Sequence, residues 1–513
     1  MKKRLLTLCL VLVMLLGMMA GCGKTEAPAA SNGETAVATT DKEVELVMYL
    51  IGDRTPNLDK VFGKINEKLK EKINATITVK FLGWGEYEQK YPLLFASGEE
   101  FDLIYTSDWA MYNQQASKGG FWEITPEALE AYAPLTAETM YDAAWEQAKI
   151  GGKVYMLPMN YKEVTGHVFL VRGDLMEKYD IDKLETREDM EAYMDAIAQY
   201  EDGMIPLDIG ADIDNRLLFD YIFFYGAVNG RMEMIYPRQL MAYTGADDDE
   251  VNVINITEDP AFIETATIMQ DWNQRGFFSK SALVNKQSSQ ESFAAGKSAV
   301  ALMNMANAQG EYVNNVLAHP EWDVQVVDAQ FGTPVLIRSF LANGMGIFSK
   351  SKNPERALMA LDLLRNDEEL HDLFCYGIEG EHYIDNGDGT IELTDKNSNY
   401  PYDMNCNWGI RNDAYWKTIE GGIPNYDEIN DKWMETAKSD KFVAFNFITD
   451  SVKNELAAMS DIYTTDLLLL YMGFTDDLEG DIAKIQQKLD AAGADVVYEE
   501  LSRQAREWLA SQN

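Results

Sequence analysis

The amino-acid sequence predicts an α/β fold that contains a largely parallel sheet covered by helices. From residue 44 onward, short apolar runs typical of strands alternate with longer stretches whose apolar residues recur at helical spacing. A parallel sheet with helices on both faces produces this alternation, because its strands are buried on both sides. The length of 513 residues and the hydrophobic content of 46% are enough for two or three such domains.

The individual elements follow from local patterns. The first strand is predicted at 44–50, and the helix behind it starts after Asn57, a residue type that caps helix N-termini. Further strands are predicted at 76–82, 101–107, 152–161, 167–175, 298–304, 322–328 and 343–349. Helices are predicted behind the capping-box pattern at 186–189, between 259 and 276, from 353 onward and along the C-terminal region. Trp272 lies on the apolar stripe of the second of these helices and is predicted to be core.

The N-terminus is typical of an export signal. Three basic residues precede an apolar run from Leu5 to Ala20, which is shorter than the about 20 residues that span a membrane. The end of this run resembles the lipobox of bacterial lipoproteins, in which the cysteine, here Cys22, is acylated. We therefore predict a signal peptide at 1–21 and a lipidated cysteine with a flexible tether at 22–42. A secreted protein with an incidental cysteine is the alternative.

The charge restricts the partners. The net charge is −40, and loss of the three basic residues in 1–21 makes it −43. Such a surface repels polyanions, so we expect no nucleic-acid partner. Of the four cysteines, only Cys375 and Cys406 remain after processing and acylation. A disulfide between them is permitted outside the cell, and two free buried thiols fit equally well.

Signals for catalysis or a cofactor are weak. The chain has neither G-x-S-x-G nor H-E-x-x-H. Gly296-Lys297-Ser298 imitates a phosphate loop, but Glu291 stands where that motif needs a glycine. The segment 385–390 reads as a hairpin turn, and whether it binds a metal ion stays open. We therefore expect no enzyme activity, no cofactor and no metal site.

Candidate binding residues follow the first three strands. Asp53, Trp84 and the pair Asp108-Trp109 come directly after these strands. Ligands of open parallel sheets bind beyond the carboxyl ends of the strands. Carboxylates accept hydrogen bonds from hydroxyl groups, and indole faces offer flat apolar platforms. This combination suits a sugar, whereas packing at a sheet edge is the structural alternative for both tryptophans.

The order of motifs resembles extracellular solute-binding proteins of ABC importers, carbohydrate-associated family 1. The resemblance rests on the lipobox and tether, on "SGEEFDLIYTSDW" (97–109), on "FAAGKSAVALMN" (293–304) and on the stretch 353–383 that ends in "YGIEGEHY". The C-terminal 70 or so residues are similar to a domain of unknown function in one lipoprotein branch. Essentially the whole mature chain takes part.

The resemblance implies a two-lobed, periplasmic-binding-protein-like fold (type II) whose lobes are joined by a hinge. Chain crossings are expected near 162–166, 337–341 and 396–402. Lobe one is then 43–163 plus 339–398, and lobe two is 164–338 plus 399–513. The ligand is expected between the lobes, with Tyr225 and Trp408 contributed by lobe two. Asn160 and Arg172 flank the hinge; Arg172 either clamps a uronate or pairs with Asp174 or Glu177.

The resemblance also implies the function. We expect a monomeric, lipid-anchored, extracytoplasmic receptor that delivers an oligosaccharide to the transmembrane subunits of an ABC permease, without a cofactor. Asp53, Asp108 and Asn160 are expected to form hydrogen bonds to the sugar, while the aromatic residues stack on it. A peptide receptor on the same scaffold and a secreted glycoside hydrolase are the alternatives.

Overall fold

The computed structural model describes residues 40–513, apart from 85, 211–213, 229–231, 236–240, 245–250, 403–404, 441, 444, 446 and 513. The predicted signal peptide, Cys22 and the tether up to residue 39 lie outside the described residues. Among the residues that are described, no helix combines the length and the apolar character that a membrane crossing requires.

The first sheet has five strands and is largely parallel, as predicted. Their spatial order is Ala75–Leu82, Val44–Ile51, Leu103–Tyr105, Gly344–Ile347 and Met156–Pro158. Val44–Ile51 pairs in parallel with both neighbours, whereas Gly344–Ile347 runs antiparallel to both of its own. The carboxyl ends of the other four strands therefore meet the start of Gly344–Ile347 at one edge of the sheet.

Helices follow these strands. Leu58–Ile73 buries the predicted apolar stripe and begins directly after Asn57, as predicted, but the Asn57 side chain forms no capping hydrogen bond. The side-chain amide of Asn57 instead lies 2.9 Å from Nε2 of His382, so a distant contact replaces the expected local one. The other helices of this part are Tyr87–Ser97, Tyr112–Ser117, Pro126–Tyr132, Pro134–Thr139, Asp142–Gln147, Pro354–Asn366 and Glu368–Tyr376.

The second sheet has four strands and is mixed. Their spatial order is Gln325–Asp328, His167–Val171, Ser298–Asn304 and Ile205–Leu207. His167–Val171 runs antiparallel to both neighbours. The predicted strand 167–175 was too long, because the chain turns into the helix Gly173–Lys178 after Arg172. The predicted strand 322–328 also starts later, because Pro320–Trp322 form a 3₁₀ turn.

The helices near the second sheet include the two that the sequence predicts. Arg187–Tyr200 begins with the expected capping box between Thr186 and Asp189, and Pro260–Gln274 buries Trp272 completely. The π-helix Leu217–Phe224 stands between two short α-helical turns. The remaining helices are Ser289–Ala294, Met305–Ala318 and Tyr426–Thr436, with 3₁₀ turns at Ile256–Glu258, Ala282–Val284, Phe340–Ala342, Asn397–Asn399 and Asn407–Gly409.

Three small sheets complete the described strands. Their members are Met232–Ile235, Met241–Thr244 and Asn252–Asn255; Tyr383–Asp385, Thr390–Leu393 and Thr418–Ile419; and Lys149–Ile150 with Lys153–Val154. The segment 385–390 is the predicted hairpin turn, in which Oδ1 of Asp385 accepts a hydrogen bond from the Gly387 N–H. Cys375 and Cys406 are both buried, and no disulfide bond joins them.

The C-terminal region packs onto the second sheet and its helices. It consists of Lys453–Ile462, the π-helix Tyr463–Leu467, Leu468–Tyr471, Leu478–Ala491 and Ala494–Gln512. Its apolar residues belong to the same buried cluster as Phe169 of the second sheet and Phe262 and Trp272 of the helix Pro260–Gln274. The region therefore has no separate core of its own.

Extended segments connect the parts that contain the two sheets. Val164 pairs with Ile337, and the Thr165 N–H donates to the Leu336 carbonyl at 2.9 Å. Lys438 pairs on the other side, donating to Val335 and accepting from Ile337. Residues 405–412 still contact the first sheet, as described below. We therefore propose the third crossing between residue 412 and Lys438 instead of at 396–402; the lobe boundaries stay a proposal.

Gly473 tests how closely the C-terminal region packs. It adopts a left-handed backbone (φ +69°), and a Cβ there would lie 2.0 Å from the Met269 carbonyl oxygen. Gly473→Ala adds backbone strain and a clash, so we expect the unfolding free energy to fall by about 3 kcal/mol. The melting temperature should drop by about 6–12 °C in a thermal melt. Gly63→Ala is the control, because nothing lies within 4 Å of its added Cβ. Equal melting temperatures would contradict the tight packing.

Candidate ligand-binding site

Three tryptophans form an aromatic surface at the carboxyl edge of the first sheet. Trp84 and Trp109 follow two strands of that sheet, and their rings stack with centroids 6.0 Å apart and an angle of 24°. Trp408 stacks on Trp84 at 6.5 Å and 29°. Trp84 is 48% exposed and Trp109 is 37% exposed, although large aromatic side chains are usually well buried. The edge thus exposes apolar indole surface to solvent.

Trp408 reaches this surface from residues attached to the first sheet, not from lobe two as expected. Cys406 Sγ accepts a hydrogen bond from the Ile51 N–H at 3.2 Å and donates one to the Ile51 carbonyl at 3.1 Å. Gly409 lies so close to Tyr105 that an added Cβ would come within 3.0 Å of its ring. Because Cys406 and Ile51 are 355 residues apart in the chain, no local pattern predicts their contact.

Asp108 and Asn160 lie on either side of the segment that leads into Gly344–Ile347. The Asp108 N–H donates to the Leu341 carbonyl, and the residue before Asn160 donates to the neighbouring Phe340 carbonyl. Desolvation by the surrounding protein raises the pKa of Asp108, and the charge of Arg338 partly offsets this. Oδ1 of Asn160 is buried and has no hydrogen-bond partner within the described residues. Both side chains thus offer acceptor atoms at this edge.

Arg338 is a central residue that the sequence analysis missed. It lies in a crossing segment, and its Nη1 is 3.2 Å from Oε2 of Glu163. Its charge affects the pKa of Asp108, of His167 and of Tyr221, so these groups surround it. An arginine after a short apolar run carries no local signal for this position. The positive charge of this guanidinium group therefore acts on groups at the edges of both sheets.

His167 and Gln330 provide unsatisfied polar atoms at the edge of the second sheet. His167 begins its strand, and its carbonyl accepts a hydrogen bond from the residue before Gln330. The two residues are 6% and 2% exposed, and no residue of the described chain pairs with Nδ1 of His167 or Nε2 of Gln330. Burying polar atoms without partners costs free energy. Within the described part of the chain these atoms therefore lack a partner, and water or a ligand can supply one.

Tyr225 and Asp53 lie at the margins of this arrangement. The ring of Tyr225 is 5.8 Å from that of Tyr221, which in turn lies 5.5 Å from His167. Tyr225 is thus linked to the second-sheet edge through Tyr221. Asp53 is exposed at the end of the first strand, next to Gly52, where an added Cβ would come within 3.5 Å of Nε1 of Trp84.

Arg172 does not join the other predicted site residues. Its guanidinium group forms hydrogen bonds of 2.7 and 2.6 Å with Asp174 and lies 4.2 Å from the Trp322 ring centroid. It follows the strand His167–Val171, whose first residue is at the site, so the strand places it roughly 15 Å away. Of the two alternatives for Arg172, the structural pairing with Asp174 is the one observed.

Arg411 packs beside the turn that carries Trp408 and has a structural role. Its guanidinium group lies 4.2 Å from the ring centroid of Tyr161 and 4.5 Å from that of Trp416. Its Nε donates to Oδ1 of Asp413 at 2.7 Å. The hydroxyl group of Tyr161 donates to the Trp408 carbonyl at 3.4 Å, so this stack supports the turn that carries the tryptophan.

A cavity of about 240 Å³ adjoins the crossing segments. Its lining includes Arg338, Phe340, Gln147, Lys162 and Asp440. Arg338 therefore lines this cavity and also lies near the groups at the sheet edges. Among the described residues, no group of three or more His, Cys, Asp or Glu side chains is arranged to hold a metal ion.

Family models match most of the chain. Residues 55–369 match the family described as bacterial extracellular solute-binding protein. Residues 441–510 match a domain of unknown function, DUF3502. A carbohydrate ABC transporter substrate-binding protein from Streptococcus pneumoniae serotype 4 is 25% identical over 505 residues, which cover 96% of this chain and 95% of the relative.

Solved structures of similar fold are solute-binding proteins. The N-glycan transport solute binding protein (NgtS) from Streptococcus pneumoniae has a TM-score of 0.74 at 22% identity, covering 92% of this chain and all of that one. Its complex with Man5GlcNAc has a TM-score of 0.70. The alginate-binding protein AlgQ2 has a TM-score of 0.65 at 15% identity, covering 91% and 99%. These neighbours are two-lobed, which confirms the predicted fold class.

The titration of His167 tests the enclosure of the second-sheet edge. Burial, with a smaller contribution from Arg338, lowers the pKa of His167 from 6.5 to about 4. The folded state thus binds a proton less readily than the unfolded state, and stability decreases as the pH falls from 6.5 to 4. We expect the wild type to lose up to about 3 kcal/mol more than His167→Gln over this range in urea titrations.

The same substitution at His319, which lies nearer the surface, is the matched control for replacing a histidine. If His167→Gln and the wild type lose equal stability on acidification, His167 is not enclosed as described.

Proposed function

Because the chain belongs to the bacterial extracellular solute-binding protein family, we propose that it captures an oligosaccharide for a carbohydrate ABC importer. The observation that carries this proposal is the aromatic surface of Trp84, Trp109 and Trp408 beside unsatisfied polar groups; Trp84 and Trp109 are exposed, and Trp408 is half-buried. The family consists of binding proteins, so the chain is not an enzyme and the glycoside hydrolase alternative is dropped. Its extracellular character means that the protein works outside the cytoplasm.

The chemistry of a sugar fits both halves of the site. Sugar rings have apolar C–H faces that pack on indoles, and their hydroxyl groups donate and accept hydrogen bonds. Asp108 and Asn160 supply acceptors from the first sheet, while Gln330 supplies a donor from the second. Since the two sheets contribute different groups, a sugar between them would hold the lobes together, as in hinge closure around a ligand.

The charges favour a neutral glycan over a uronate. Arg338 already pairs with Glu163, and Arg411 pairs with Asp413. Arg172, which the sequence analysis considered for a uronate, is occupied by Asp174. A carboxylate bound by one of these arginines would have to displace its partner, and one bound by Arg338 would also face Asp108. Neutral mannose- and N-acetylglucosamine-containing oligosaccharides, like those in the complexes of NgtS, are therefore our first candidates.

A binding screen tests this proposal. We expect a thermal-shift panel to show stabilisation by Man5GlcNAc or a related neutral glycan, with alginate oligosaccharides and short peptides as the comparison. A ligand at 100 times its Kd stabilises the folded state by about 2.7 kcal/mol, which raises the melting temperature by several degrees. Stabilisation by peptides alone would favour the peptide-receptor alternative, and stabilisation by alginate alone would refute the preference for neutral sugars.

Substitutions then locate the site for the glycan found in the screen. Trp84→Ala and Trp109→Ala each remove one stacking surface, so we expect Kd to rise about three- to tenfold in calorimetry. Tyr200→Ala is the control, because Tyr200 is 60% exposed but lies on the helix Arg187–Tyr200, outside the site. Unchanged affinity in both tryptophan variants would refute the proposed surface.

We further propose that Cys22 is acylated and anchors the protein as a monomer near the permease. The sequence before it is typical of an export signal, and the tether of about 20 residues spans about 25 Å. Cys22→Ser should move the protein from the membrane fraction to the soluble fraction in fractionated cells. Ser31→Ala, in the tether, should leave it with the membrane. A Cys22→Ser variant that stays with the membrane would contradict acylation.

A further inference from the structure

The helix 214–228 presents tyrosines toward the candidate site. Tyr221 lies beside His167, and burial raises its pKa, with smaller effects from the charges of Arg338 and Asp108. Tyr225 packs against Tyr221. The middle of this helix, Leu217–Phe224, is a π-helix. Segments of π-helix are rare and occur frequently at functional sites, so support for this one from its surroundings matters for the candidate site.

The C-terminal region provides that support on another face of the same helix. The rings of Phe219 and Tyr471 stack with centroids only 3.9 Å apart and an angle of 12°. Tyr463 contacts Tyr471 edge to face at 5.6 Å. Both tyrosines belong to the C-terminal segment in and just after its own π-helix, Tyr463–Leu467. Two π-helical segments from distant parts of the chain are thus joined by aromatic packing.

A buried polar cluster accompanies the aromatic contact. Asp220 is completely buried, and its Oδ2 is 3.9 Å from Nε of Arg216. The Tyr471 hydroxyl group is close enough to lower the pKa of Asp220, although the pair does not reach standard hydrogen-bond geometry. Burial has the larger effect and raises the pKa of Asp220 to about 7. A carboxyl group is costly to bury without full pairing, which gives this cluster a role beyond filling the core.

The helix Pro260–Gln274 is held by the same C-terminal region. Gln270 donates to the Thr475 carbonyl and Asn273 to the Met472 carbonyl, both at 2.8 Å. This helix also packs on the π-helix, because Trp272 contacts Phe223 at 5.0 Å. The π-helix is therefore supported by the C-terminal region both directly and through the helix Pro260–Gln274.

We propose that the C-terminal region acts as a positioning element for the ligand site. Tyr471 of this region packs on Phe219 and lies near Asp220, both in the π-helix. These contacts fix the helix, whose Tyr221 and Tyr225 line the second-sheet side of the site. This assigns a role to residues that match a domain of unknown function. Its importance for sugar binding rests on the proposed function, whereas its hold on the helix does not. Tyr471 is a positioning residue and contacts no sugar.

Hydrogen exchange tests the hold without any ligand. Tyr471→Phe keeps the ring stack but removes the hydroxyl group, and Asp220→Asn removes the charge with little change of shape. We expect amides of 214–228 to exchange about fivefold faster in both variants. Tyr193→Phe is the matched control: its fully buried hydroxyl group donates to the Arg172 carbonyl at 3.1 Å, in the same core. It should leave 214–228 unchanged.

Exchange that rises evenly over the second sheet and its helices, or that stays at the wild-type rate in 214–228, would overturn the proposal. If one of the two variants does not fold, the other decides by the same criterion.

Calorimetry with Man5GlcNAc then tests the link to binding. We expect the Kd for the glycan to rise about threefold or more in Tyr471→Phe and to stay unchanged in Tyr193→Phe. The comparison applies when the two variants lose the same amount of melting temperature. Equal Kd values in both variants would restrict the C-terminal region to a structural role and overturn the proposal. If the wild type does not bind this glycan, the proposed ligand fails, while hydrogen exchange still decides whether the region positions the helix.

Discussion

The geometry of the site depends on the pairing of extended segments between the two sheets. Thr165 donates one backbone hydrogen bond to Leu336, and the Leu336 N–H donates to the Thr165 hydroxyl group. The Arg338 N–H donates to the Glu163 carbonyl, and Lys438 adds two backbone hydrogen bonds on the other side. So few hydrogen bonds hold the segments in register but permit their twist to change, which is the usual behaviour of a hinge. Arg338 lies in this pairing, between Glu163 and Asp108. A change of twist therefore alters both the distance between the sheet edges and the electrostatic balance of the site.

Much of the fold is predictable from the sequence because it depends on local periodicity. The parallel strands, the capping box at Thr186 and the buried Trp272 all follow from patterns within about 20 residues. The closeness of Trp84 and Trp109 is also predictable, because carboxyl ends of parallel strands meet at one edge. The prediction that the Asn57 side chain caps its helix was wrong, because this side chain contacts His382 instead.

The parts of the site that the sequence does not reveal depend on distant contacts. Trp408 lies with the first sheet because Cys406 bonds Ile51, and the unsatisfied atoms of His167 and Gln330 become visible only when burial is known. Arg172, in contrast, was considered for the site but lies away from it. Its guanidinium group suits a uronate, but Asp174 is two residues later in the sequence and forms the ion pair with Arg172 that the structure contains.

The buried Asp220 carries a high free-energy cost among the residues around the second sheet, and this cost indicates its role. A leucine would fill the same space without desolvating a charge, and apolar replacements of buried ion pairs are often neutral or stabilising. Its carboxyl group lies near both Arg216 and Tyr471, so a movement of the π-helix past the C-terminal region would change the electrostatic surroundings of a buried polar group. Since Tyr221 is the next residue, a slide of the helix would move it directly relative to Arg338 and His167. The buried carboxyl group therefore holds the helix that forms one wall of the proposed site and is not needed to stabilise the fold.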